Sequence, residues 1–359
     1  MFAQVKFLRG WVQGQYQLLC KGVTLQEGLA RKKDNFLMLR IIAAVMVIYG
    51  HAPHLAPAVN NVDIFVRFGW GHYSGDLAVD AFFLISGFLV TGSYIRQDSL
   101  YKFAKARFFR VFPAFFINVT ILALVYGAIF TTDTLNNYFH SMGTWDYIFT
   151  NLQYKSDMIW NLPGVFEHGM KTATINGSQW TLPAEVRMYV LLGVLGGAGL
   201  LLLKRLAALV LLAFIVIGFV HPEFFPLHPD WFRLGGFFTL GVLCYLYKES
   251  ITVRLDLIVA LLLLAVLTRH LSTYVLTFPL AVAAVVFAIA YFLPPFVFLE
   301  RYGDPSYGIY LWGWPVQQLV AYALPAAGLY LHVTLAIIIS FLIGYISWNF
   351  FERHMLRFK

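Results

Sequence analysis

The stretch "NFLMLRIIAAVMVIYGHAPHL", residues 35 to 55, decides the fold class. It is apolar over about the twenty residues that a helix needs to cross roughly 30 Å of hydrocarbon, so it reads as a membrane span. Yet Arg40 stands near one end and His51 near the other. Eleven positions at about 100° each return to within about 20° of the starting direction, and the rise separates the two residues by about 16 Å. Both ionisable groups therefore share one helix face at two depths of a bilayer. Such groups are costly in lipid and mark bundle interiors or cavities, which makes both candidates for function.

The remainder of the chain has the same character. Hydrophobic residues are 60% of the 359 and charged ones 12%, and the mean hydropathy is +0.70, a polytopic membrane composition without a large soluble domain. The net charge of +8 sits in short runs between apolar segments, as topology signals do, which argues against a nucleic-acid partner. Cys20 and Cys244 are far apart, with no spacing for a disulfide framework or a zinc site, and no metal is expected. Phe2, Val5, Leu8, Val12, Tyr16 and Leu19 recur every three or four residues among basic and polar ones, so residues 1–34 read as an amphipathic interfacial segment or a cytoplasmic tail.

About ten apolar runs follow, near 36–53, 77–95, 108–130, 183–203, 206–221, 232–248, 255–270, 274–293, 306–323 and 328–351. The expected fold is an all-α transmembrane helix bundle over residues 35–352, with a short tail at 353–359. "ARKKDNF", "RQDSLYKFAKARFFR", Lys204-Arg205 and "FERHMLRFK" all fall on one side of such a topology, which the positive-inside rule makes cytoplasmic together with both termini. The long connection at 131–182 then faces the other side, and its length implies a folded or binding segment.

Several residues on these runs carry polar chemistry. His51 precedes "APHLAP", whose prolines end the helix near the outer interface, and a neutral imidazole there suits a general base toward a hydroxyl or a simple loop contact. "DAFFLISGFLV" contains Asp80, a carboxylate that needs a partner, and Ser86-Gly87, which suit close helix packing or, without any GxSxG elbow, a catalytic Ser86. "KFAKARFFRVFP" sets Arg107 and Arg110 on one face at the cytoplasmic side, where they can grip phosphate or anchor the helix. Glu185, in "NGSQWTLPAEVRMY", falls in an early turn of the fourth run, as a dipole partner or as a cavity group facing His51. "YGDPSYGIYLWGWPVQQLV" carries Tyr307, Tyr310, Gln317 and Gln318, an interfacial belt with at least one amide pointing inward.

Taken in order, these motifs resemble the acyltransferase 3 family of integral membrane acyltransferases. Arg40 and His51 match its arginine, ten residues, histidine pattern, "DAFFLISGFLV" its FFxxSGF segment and "RFFRVFP" its RxxR-hydrophobic-x-P element. "GSQWTLPAEVRMY", with Glu185 and Tyr189, looks like its WTLxxExxxY stretch, and "SYGIYLWGWP" like SYxxYLxHxP. The resemblance implies a bacterial inner-membrane O-acyltransferase, most often an acetyltransferase. Acyl-CoA would be the cytoplasmic donor substrate, with no bound cofactor, and the acceptor a hydroxyl of a carbohydrate or glycolipid. It further implies that Arg40, Arg107 and Arg110 serve the donor and that His51, with Glu185, serves the chemistry. Asp80, Ser86, Tyr189, Tyr307, Tyr310 and Gln317 are expected in support.

In one respect the chain departs from that pattern. Gly313 stands where the SYxxYLxHxP stretch carries histidine, so no role of that histidine transfers. No fused esterase-like domain is expected, which leaves acceptor recognition to the bundle and to Trp145, Tyr147, Tyr154 and Trp160 of the long connection. A flippase for a lipid-linked sugar and a non-catalytic scaffold are the alternatives that share the span count.

Overall fold

A computed structural model describes residues 21–31, 33–59, 62–224, 227–228 and 230–358; most of the amphipathic N-terminal stretch lies outside the described residues. The chain is 75% helical with almost no strand. Ten helices correspond to the ten apolar runs: α1 Phe36–Leu55, α2 Ser74–Gln97, α3 Leu100–Phe130, α4 Leu182–Gly197, α5 Lys204–Val220, α6 Asp230–Leu246, α7 Leu255–Thr268, α8 Tyr274–Phe292, α9 Ser306–Ala323 and α10 Leu329–Phe358. Two-residue strands, β1 Val23–Thr24 and β2 Thr252–Val253, pair antiparallel.

Ten crossings are not confirmed. Among the described residues, α1, α2, α3, α8 and α10 are long and apolar enough to span a membrane. The helices α4, α5, α6 and α7 have 16, 17, 17 and 14 residues, and α9, with 18, is too rich in Tyr, Trp and Gln. α3 also starts at Leu100, eight residues before the expected run, because Ser99 caps it through the Lys102 N–H.

The core is set by close helix crossings. α2 and α6 meet backbone to backbone: a Cβ on Gly241 would lie 2.1 Å from the Leu84 carbonyl oxygen, and one on Gly87 would lie 2.1 Å from that of Phe238. For Gly87, the small residue therefore serves helix packing. α1, which carries Arg40 and His51, packs between α2 and α9, and its start is tied to the end of α8. There the Asn35 side chain donates to the Ile289, Leu293 and Pro294 carbonyls and accepts from the Phe296 N–H.

The connection at 131–182 does more than cover one end of the bundle. After short helices at Leu135–His140 and Met142–Asn151, residues 172–181 enter the bundle against the middle of α9. Irregular backbone survives at such depth only when protein groups satisfy it. Gln318 Nε2 donates to the Thr172 and Thr174 carbonyls at 2.9 Å, Trp314 Nε1 to Thr174 at 2.9 Å, and the Tyr310 hydroxyl to Ser178 at 2.7 Å. This inserted limb explains the shortness of α4, since that helix starts where the limb ends, inside the bundle.

The α2–α6 crossing has a direct test. Gly241→Ala should lower the melting temperature of the detergent-purified protein by an overpacking cost of about 1–3 kcal/mol or more. Gly236→Ala, whose Cβ meets nothing nearer than Ile215 at 4.0 Å, should leave it unchanged or slightly raised. Equal effects of the two substitutions would refute the crossing.

Candidate active site

A cavity of about 470 Å³ opens among α1, α2, α3, α4 and α9, lined by Arg40, Arg107, Arg110, Glu185, Asp304 and Tyr310 among others. Its charges are organised around Asp304, in the turn before α9. Asp304 Oδ2 lies 2.7 Å from Arg110 and 3.2 Å from Arg40, and Oδ1 accepts the Ser306 hydroxyl at 2.6 Å. Arg110 also stands 3.8 Å from Glu352 on α10, which accepts the Ser347 hydroxyl at 2.8 Å. Two guanidiniums and two carboxyl groups thus form a quartet that ties α1, α3 and α10 to the start of α9. Burial pushes the Asp304 carboxyl up, but Arg40, Arg110 and the bonds from Ser306 outweigh it and hold the group below the usual carboxylate range.

Arg107 is different: it makes no ion pair among the described residues, and its guanidinium sits over the Tyr189 ring, 5.7 Å from the centroid. The Tyr189 hydroxyl donates to Glu185 and lies 3.2 Å from the Ser86 hydroxyl, so Ser86, Tyr189 and Glu185 form one polar chain along the cavity wall. Tyr307 donates to the Val111 carbonyl at 3.0 Å and carries Arg110 on its ring face. Tyr310, hydrogen-bonded to Ser178 and 2.5 Å from the Thr181 hydroxyl, closes the far end.

Glu185 therefore stands with the arginines, whereas the sequence reading grouped it with His51 on the other side. α4 starts inside the bundle, so its first turn reaches the depth of Arg107 and Arg110. His51 is not among the lining residues. It is buried one helical turn beyond, beside Trp314, since Tyr310 and Trp314 are four residues and about 6 Å apart on α9. Its ring lies edge-on to Trp314 at 4.8 Å and its Nε2 is 3.4 Å from the Tyr73 hydroxyl; Nδ1 has no partner among the described residues. Lys171, from the long connection, caps the same end of α1 by donating to the Pro53 and Val59 carbonyls at 3.0 and 2.6 Å.

The other candidates fall outside the cavity. Asp80 pairs with Arg233 at 2.7 Å, and Arg233 reaches Asp76 at 2.9 Å, which answers the question of its partner. Gln317 and Gln318 are both fully buried; Gln318 holds the inserted limb, and neither amide atom of Gln317 is paired among the described residues. Gly313 faces α1, where a Cβ would lie 3.0 Å from Ile48. In the long connection Tyr147 is fully buried, which removes it from any exposed stacking surface. Sequence reasoning missed Asp304, Glu352 and Tyr73; "GDPSY" put an acid at a helix start, but nothing local paired it with Arg40 or Arg110, whose partners lie hundreds of residues away.

With this geometry in place, comparison with known proteins decides the class. The family described as an acyltransferase domain matches residues 35–349, nearly the whole bundle. The chain belongs to the acyltransferase 3 family. It is 29% identical to an "O-acetyl transferase" of Shigella phage Sf6, over 90% of this chain and 96% of that protein. It is also 29% identical to "Nodulation protein 10" of Rhizobium leguminosarum bv. viciae, over 91% of this chain and 94% of the relative. No solved structure matches it. This acyltransferase is an enzyme of the O-acyl transfer class and a multi-pass membrane protein.

The quartet of this acyltransferase should have a pH signature. A carboxyl held low in the folded state contributes stability above its unfolded value near 3.8, and that contribution is lost as pH falls through the lower folded value. The difference in melting temperature between wild type and Asp304→Asn should therefore stay constant from pH 8 to about 5 and shrink below about pH 4. A difference that vanishes already near pH 6 would exclude the ion pairs as its source.

Proposed function

We propose that the acyltransferase takes its acyl group, most often acetyl, from acyl-CoA on the cytoplasmic side and passes it to a hydroxyl of a carbohydrate or lipid-linked glycan. The observation that carries this reading is the placement of a charged cavity one helical turn short of a buried histidine with a ring nitrogen unpaired among the described residues. A donor with phosphates at the basic end and an extended arm would bring its thioester toward that histidine. The relative named O-acetyl transferase supports an oxygen acceptor and an acetyl group. The basic loops support an inner-membrane location with both termini cytoplasmic.

Within this reading the residues divide by position. Arg40 and Arg110 are already engaged by Asp304, and Arg110 also faces Glu352, so they shape and pin the cavity floor. Arg107, unpaired and desolvated on one side by Tyr189, takes a donor phosphate. Glu185, Tyr189 and Ser86 line the path of the donor arm with hydrogen-bonding groups. His51 accepts the proton of the acceptor hydroxyl as that oxygen attacks the thioester carbonyl, and returns it to the departing thiolate, so no net proton is consumed. The acceptor approaches from the end of α1 where Lys171 and the long connection lie.

The test is transfer of radiolabel from acetyl-CoA into membrane material in inverted native vesicles at matched expression. Wild type should transfer label and His51→Ala should not; equal transfer by both would overturn the role of His51. Arg107→Ala should raise the apparent KM for acetyl-CoA about tenfold, roughly the loss of one charge-assisted hydrogen bond. Arg107 is the cleaner site than Arg110, because removing Arg110 strands two buried carboxylates and destabilises the bundle itself. An unchanged KM would remove Arg107 from the donor site.

A further inference from the structure

Tyr73 occupies a position that its own helix does not explain. It is the N-cap residue of α2, where Ser, Thr, Asp or Asn would bond the free N–H groups, and its side chain makes no capping bond. Asp63 supplies the cap from a distance instead: Oδ1 accepts the Ser74 N–H at 3.1 Å and Oδ2 the Ser74 hydroxyl at 2.5 Å. A local rule broken and compensated elsewhere points to a function for the residue that breaks it.

The surroundings of Tyr73 are built to place its ring. A Cβ on Gly75 would lie 2.3 Å from Tyr73 Cε2, and one on Gly50 would lie 2.8 Å from Cδ2, so the ring rests on two residues without side chains. Gly50 adjoins His51, and the ring is thereby held with its hydroxyl 3.4 Å from His51 Nε2. Trp314 packs edge-on against the imidazole and is itself fixed through its Nε1 bond to the Thr174 carbonyl. Catalytic hydrogen bonds in unliganded sites are commonly long and tighten when substrate binds.

We propose that Tyr73 is the positioning residue for His51, accepting a hydrogen bond from Nε2–H and so leaving the lone pair on Nδ1 as the reacting site. A neutral imidazole carries one proton, and the nitrogen that donates fixes the other as acceptor. Nδ1 is buried and unpartnered among the described residues, which suits a nitrogen kept open for the acceptor hydroxyl. In the transfer step the acceptor O–H bond breaks and its proton moves to Nδ1. The oxygen bonds to the thioester carbonyl carbon, the C–S bond breaks, and the thiolate takes the proton from Nδ1–H. Nε2–H stays on Tyr73 throughout, where the hydroxyl oxygen faces the imidazolium charge that forms.

This inference rests on His51 being the base, and the experiment separates the two. Tyr73→Phe keeps the ring on Gly50 and Gly75 and removes only the hydroxyl. In the vesicle assay it should lower kcat at least tenfold with the apparent KM for acetyl-CoA within twofold of wild type, while His51→Ala abolishes transfer. In the purified protein labelled with ¹⁵N-histidine, the Nε2–H tautomer signal that disappears in His51→Ala should also be lost or mixed with the Nδ1–H form in Tyr73→Phe. Wild-type kcat and an unchanged tautomer signal in Tyr73→Phe would overturn the positioning role while leaving His51 as the base. A fall in kcat matched by a rise in KM and a lower melting temperature would also overturn it, as a packing effect. Full transfer by His51→Ala would overturn the role of His51 and the positioning role together.

Discussion

The missing N–H of Pro315 organises the centre of this enzyme. A proline inside α9 leaves the Leu311 carbonyl, four residues earlier, without its helical partner, and a bare carbonyl deep in a membrane bundle is expensive. Two side chains converge on it: Asn176 Nδ2 at 2.9 Å from the inserted limb and Asn118 Nδ2 at 3.3 Å from α3. Asn118 Oδ1 in turn accepts from Asn176 and from Gln179 at 3.1 Å, and the Pro315 carbonyl accepts the Tyr126 hydroxyl at 3.0 Å. One absent donor therefore draws α3 and residues 172–181 onto the middle of α9. That draws the first turn of α4, with Glu185, to the depth of the arginines.

Charge is managed with the same economy. The Asp304 quartet sets two guanidiniums against two carboxyls inside the bundle, and Arg233 on α6 sets a third between Asp76 and Asp80 of α2. Isolated buried charges would cost several kcal/mol each, whereas paired ones hold their helices in register. Two groups stand outside these ion pairs among the described residues: Arg107, on the Tyr189 ring, and His51, whose Nδ1 has no partner.

His51 also shows how a helix can present one residue with little freedom. α1 ends in "APHLAP", so its last carbonyls lack helical partners; Lys171 takes the Pro53 carbonyl and that of Val59 beyond the helix, Gly50 admits the Tyr73 ring, and Trp314 packs edge-on against the imidazole. The glycine at 313 belongs to the same arrangement, because it lets α9 approach Ile48 closely enough to bring Trp314 against the imidazole.

The all-α membrane bundle was legible from the sequence because twenty-residue apolar runs and basic loops act through local physics: a helix satisfies its own backbone, and hydrocarbon excludes charge. The shared face of Arg40 and His51 followed from helical periodicity alone, and the ordered motifs carried the family. The number of crossings was not legible in that way, since α4, α5, α6 and α7 are apolar yet short, and only packing decides how deep each one starts. Nor was the partition of the site. Asp304 lies 264 residues from Arg40 and 194 from Arg110 by their numbers, and Tyr73 meets His51 across a separate segment. Pairings of that kind depend on which faces two helices turn toward each other. The sequence by itself determined the helices, their polarity and the chemistry available on them. Tertiary structure alone decided that Glu185 joins the arginines, through the limb that Asn176 and Asn118 hold to the Leu311 carbonyl, and that His51 stands apart with Tyr73 and Trp314, through the close approaches at Gly50 and Gly313.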